Sequence, residues 1–111
     1  MVPAAGNIVS ISNGDTVEWD GNGNFPGNLT VNLTGGSTLH SSWVLRLAGA
    51  TINVASGCSL TSGVNNWFDL ASGTVSFEDG ATNTVHNWEH KGNNTFNFEL
   101  SETGFETLTP V

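Results

Sequence analysis

Asp69 and Glu89 are the two carboxylates whose spacing could place them together, with His86 and His90 on either side of Glu89. Hydrolysis or elimination on a sugar chain needs two such acids facing a cleft, or acids holding a metal beside a basic residue. Lys91 is the one base nearby, too little to stabilise a developing anion, so these side chains read as solvated loop residues and the chain as a non-enzyme. Two acidic features could hold calcium. Asp20-Gly21-Asn22-Gly23-Asn24 copies the first ligand positions of an oxygen-rich loop, but Phe25 stands where the sixth-position Gly belongs and Val31 where the closing Glu belongs. Glu78 and Glu99 fall at equivalent repeat positions, which would bring like charges close unless a cation or solvent intervenes. No metal site and no cofactor are expected.

Neutral residues form the more regular array. Thr30/Asn32, Thr51/Asn53, Thr74/Ser76 and Thr95/Asn97 recur at nearly constant intervals. Stacked on successive strands, they would form two polar columns about 6.7 Å apart, with members about 4.8 Å apart along each column. Such ladders can simply solubilise an outer face, or they can order water, ice or a polysaccharide. Of the four tryptophans, Trp43, Trp67 and Trp88 lie eight, seven and seven residues before the next Thr, and Trp19 lies eleven before. Near-register spacing predicts that the last three stack along one side, either within the core or as an outward platform for sugar rings.

These residues are positioned by an internal repeat. Its copies begin at Ile8, Thr30, Thr51, Thr74 and Thr95, at intervals of 22, 21, 23 and 21 residues. The pattern is Thr, apolar, Asn or Ser, apolar, two variable residues, Gly, a variable residue, Ser or Thr, apolar. Alternation of apolar and polar residues is the period of a strand buried on one face. It points Val9 and Ile11, Val31 and Leu33, Ile52 and Val54, Val75 and Phe77, and Phe96 and Phe98 inward. The Gly after each strand suits a corner with positive φ, and the following Ser or Thr opens the next strand. Copy four has Asn83 at the last apolar position, where Val85 would take over through a bulge. Copy five has Ser101 in place of the corner Gly. Segments 43–47, 67–70 and 85–89 supply a further strand per repeat, and nothing between copies reads as helix. The expected fold is all-β, a right-handed parallel β-helix (β-solenoid) of about five coils with a period of about 22 residues. It forms a single domain over 1–111, with a lead-in at 1–7, coils over about 8–104 and a tail at 105–111.

Composition agrees. At 111 residues one core must suffice. Ten acids against Lys91 and Arg46 give a net charge of −8, which excludes the basic patch that nucleic acid or an anionic membrane would require. The single cysteine, Cys58, has no internal disulfide partner and reads as a small side chain at a turn. No apolar run approaches membrane-spanning length, and the first six residues lack the regions of a signal peptide. Asn28, Asn32 and Asn93 head Asn-x-Ser/Thr sequons, compatible with secretion and expected by chance in so Asn- and Thr-rich a chain.

The Gly-x-Ser/Thr-apolar corner after a Thr-apolar-Asn-apolar strand resembles the coils of autotransporter passenger domains and related bacterial surface β-helix proteins, as does the ending from Asn94 to Pro110. That resemblance implies secretion or cell-surface display and carries over no catalytic residue. The Thr-bearing columns are also similar to the regular Thr arrays of antifreeze solenoids. Neither tail reads as an amphipathic cap, so the ends are expected to meet other copies or further sequence. The expected function is a non-catalytic extracellular structural or adhesive module, self-associating through its ends into a fibre. The alternatives are a surface protein that binds ice or polysaccharide, and a β-helix carbohydrate-active enzyme.

Overall fold

The computed structural model describes residues 3–19, 23–42, 45–63, 67–85, 87–89 and 96–100, with 23–24, 67–71, 87–89 and 96–100 described by backbone course alone. Among these residues the chain is all-β, and no helix is long and apolar enough to cross a membrane. Its strands are β1 (Ile8–Ile11), β2 (Thr16–Trp19), β3 (Gly23–Asn24), β4 (Thr30–Leu33), β5 (Thr38–Ser41), β6 (Leu45–Val54), β7 (Ser59–Ser62), β8 (Trp67–Phe77), β9 (Thr82–Thr84), β10 (Asn87–Glu89) and β11 (Phe96–Leu100).

They form two parallel sheets. The larger runs β1-β4-β6-β8-β10, with β3 also on β6 and β11 also on β8; the smaller runs β2-β5-β7-β9. Thr30 pairs with Ile8 behind it and Thr51 ahead, and Thr51 pairs with Thr74, so the register reproduces the sequence repeat over its first four copies. Each strand bonds to its equivalent one repeat away rather than to its chain neighbour.

The alternation sets the core. Val31, Ile52 and Val75 share one buried register column and Ile11, Leu33, Val54 and Phe77 the next, while Leu39 and Leu60 are buried from the smaller sheet. Val9 points toward this core but is only partly covered, because its strand is the first of the larger sheet.

At each repeat corner an amide bonds back three residues: Asp15 to Ser12, Ser37 to Thr34, Cys58 to Ala55 and Ala81 to Glu78. The third residue of each turn is the repeat's Gly, and Gly14, Gly36, Gly57 and Gly80 have φ of +74 to +86°. In the first two turns the preceding Asn13 and Gly35 also have positive φ, as in type I′ turns, whereas the last two fit type II. Small side chains follow the corner: Ser37, Cys58 and Ala81 are all fully buried. Ser37 Oγ donates to the Ile11 carbonyl at 2.9 Å and lies 3.8 Å from Cys58 Sγ.

Four expectations change. The extra strand per repeat is not a separate element at two of its three places. β6 and β8 run through a bend into the next repeat strand, with register shifts around Ala48. The bend is possible because Gly73 has φ of +131°, and a Cβ there would collide with the Ala50 carbonyl oxygen. Asn83 needs no bulge: it pairs with Leu60 and is itself buried. Its Oδ1 accepts the Val85 N–H at 3.1 Å, while its Nδ2 has no hydrogen-bond partner. In copy five, Asn97 rather than Thr95 pairs with Thr74, placing Phe98 opposite Val75 and Leu100 opposite Phe77. This slip of two residues keeps the alternation of the ladder. It also sets Glu99 beside Ser76, so Glu78 and Glu99 are not register partners. Finally, Trp67 pairs with Asn87 and Trp88 with Phe68. The two tryptophans are one residue out of register rather than paired.

Candidate functional site

The second polar column is the one that shapes a site. Ser10, Asn32, Asn53 and Ser76 pair in succession on β1, β4, β6 and β8. Because they alternate with the buried apolar positions, their side chains fall on the outer face of the larger sheet. Asn53 Nδ2 donates to Asn32 Oδ1 at 2.8 Å, across one repeat. Parallel in-register pairing makes such an amide ladder available wherever two Asn residues occupy equivalent positions.

The column forms one side of a groove of about 450 Å³, completed by the strand ends Leu33 and Val54 and by Thr34, Ala55 and Glu78 at the corner. The face is therefore concave where the columns approach the corner, rather than flat throughout. Glu78 Oε2 accepts the Ser56 amide at 3.1 Å, which fixes the carboxylate to the neighbouring turn. The register carries Glu99 to the position after Ser76 in the same column. Apart from the acid Glu78, the side chains lining the groove are uncharged. Such a site can donate and accept hydrogen bonds along a line, with the half-buried Ala55 as its accessible apolar side chain.

Thr30, Thr51 and Thr74 form the first column, in register and half-buried. Thr95 and Trp43 lie outside the described residues, and Asn97 joins the Thr column by register rather than the Asn column. Asp69 and Glu89 are register partners, and Arg46 pairs with Asp69 from the other side. The sequence placed the two acids together but missed the Arg. His86, His90 and Lys91 lie outside the described residues, as do Asp20, Gly21 and Asn22 of the proposed calcium loop; Gly23 and Asn24 form β3.

The Ser or Thr that follows each corner Gly in the repeat forms a hydroxyl column on the smaller sheet, Thr16, Thr38, Ser59 and Thr82, which the sequence does not single out as a site. Its intervals of 22, 21 and 23 residues are those of the repeat. Beside it run Glu18, His40, Thr61 and Thr84. His40 Nδ1 lies 2.6 Å from Thr61 Oγ1, and Ser42 Oγ donates to Glu18 Oε1.

A second opening lies at the first strands. Pro3, Val9, Val17, Trp19 and Phe25 surround a cleft of about 50 Å³ that reaches the buried Ile11, Leu29, Val31 and Leu39. Trp19 stacks edge-on to Phe25 with ring centres 4.8 Å apart. Ile8 is 73% and Val17 41% exposed. Comparison with known protein families, curated proteins and solved structures finds no match to this chain.

Proposed function

We propose that this chain is a right-handed parallel β-solenoid of about five coils that serves as a non-catalytic extracellular structural or adhesive module, assembling end to end with other copies. The observation that carries this reading is the state of the first strands. Among the described strands β1 and β2 each pair on one side only, with β4 and β5 respectively. Their other edges are unpaired, beside the apolar cleft and the exposed Ile8 and Val17. An unpaired parallel edge over an open core is a template for another strand layer.

The occupant best matched to that edge is a second copy. Every internal repeat already presents this kind of edge to the repeat before it, in register and with apolar residues opposite apolar residues. Joining unlike ends is heterologous, so the contact does not close on itself and propagates as a fibre. The resemblance of the Gly-x-Ser/Thr-apolar corners to those of bacterial surface β-helix proteins supports this reading.

The double change Ile8→Asp, Val17→Asp tests it. Ile8 is largely exposed and Val17 sits at the mouth of the apolar cleft, so circular dichroism first establishes that the variant is folded, and buried charge at a contact is strongly unfavourable. Light scattering after size exclusion should show oligomers for the unaltered protein and monomers for the variant. Identical monomeric profiles for both would refute assembly through this edge.

A further inference from the structure

The groove beside the Asn column lies on the outer face of the larger sheet, and its chemistry is specific enough to name a ligand class. We infer that it binds an uncharged polysaccharide lying along the column, across the strands.

Three observations lead there. Ser10, Asn32, Asn53 and Ser76 span three strand spacings, roughly 14 Å at about 4.8 Å per spacing. The site is therefore a line that suits an extended chain rather than a point that suits an ion. The Asn53-to-Asn32 bond uses one amide hydrogen and one carbonyl lone pair, and each amide retains both donor and acceptor capacity. A sugar hydroxyl is itself donor and acceptor, so a row of amides with mixed polarity can satisfy a row of hydroxyls in either orientation. Ala55, half-buried at the corner, gives the groove a small apolar surface, against which the C–H face of a pyranose ring can lie.

Charge selects among polysaccharides. Glu78 lines the groove, and the chain carries a net charge of −8. Uronic-acid and sulfated chains would meet repulsion there, with no cation among the lining residues to offset it. A neutral chain meets none, and Glu78 can accept from its hydroxyls. A concave site with a carboxylate at its wall also suits a sugar chain better than the plane of an ice crystal.

The test is a titration of the full chain, followed through the side-chain amide signals of Asn32 and Asn53 by NMR. The probes are hexasaccharides of β-1,4-linked glucose, xylose and N-acetylglucosamine and of β-1,3-linked glucose, with hexagalacturonate as the anionic control. At least one neutral probe should shift both Asn signals saturably while the control does not. Asn53→Ala should then weaken that probe at least tenfold without altering backbone amide signals remote from the groove. Four outcomes overturn the inference. They are no saturable shift with any neutral probe, saturable shifts confined to residues outside the groove, equal binding of hexagalacturonate, or partitioning into ice that Asn53→Ala abolishes without any response to sugars.

Discussion

At Ser37 a single hydroxyl fixes the corner to the strand of the preceding repeat. It is fully buried and donates to the Ile11 carbonyl, which also accepts the Thr34 amide at 2.9 Å. Ser37→Ala therefore removes one hydrogen bond without leaving Ile11 oxygen unpaired, and the cost should be about 1 kcal/mol. In thermal unfolding that corresponds to a loss of about 4 °C for a chain of this size; an unchanged midpoint would show that the bond contributes nothing. Residue chemistry was partly legible in advance. The Ser10, Asn32 and Asn53 positions follow from alternation and interval alone, but Thr34 and Glu78 enter the site through the concavity of the corner, which periodicity cannot express. Asn83 was misjudged for a related reason. Its type argues for the surface, yet the pairing on both sides of Leu60 is continuous through Leu39 and Asn83. Register across the whole strand outweighs the preference of one residue.

At the scale of the element, two glycines should behave differently when changed to alanine. Gly57 has φ of +80° and open space around its missing Cβ. Gly57→Ala should therefore cost only the left-handed backbone penalty, about 1–2 kcal/mol. At Gly73 the backbone is in a region that side chains rarely adopt, and the new methyl would strike the Ala50 carbonyl. Gly73→Ala should cost about 3 kcal/mol or more, since strain and collision combine. Denaturant unfolding of the two variants checks the order, and equal losses would mean that the bend in β8 can relax. The corner turns were readable because Gly recurs at one fixed place. A second left-handed position, Gly6, Asn28 and Gly49, went unread because Asn replaces Gly in one copy, although its φ values of 57–75° are equivalent. The lengths of β6 and β8 were hidden for the opposite reason. Gly49 and Gly73 punctuate the sequence like strand breaks, yet both strands run on, Gly49 as the extra residue at a register shift and Gly73 paired with Ala50. The slip at β11 left no sequence signal, because a shift of two preserves the alternation on which the reading rests.

For the whole molecule, the proposed end-to-end assembly would join like-charged bodies. Each copy carries a net charge of −8, and repulsion between such surfaces is screened over about 10 Å at 0.1 M salt and about 3 Å at 1 M. Association through an apolar end should therefore strengthen as salt rises, measurable as a growing weight-average mass by sedimentation. A mass that falls with salt would point instead to charge-paired contacts. The most direct measurement is electron microscopy of the unaltered protein at high concentration and high salt. End-to-end stacking requires unbranched fibres with a width close to the roughly 30 Å extent of one molecule. Dispersed single particles at every concentration, with the same appearance after Ile8→Asp and Val17→Asp, would contradict it.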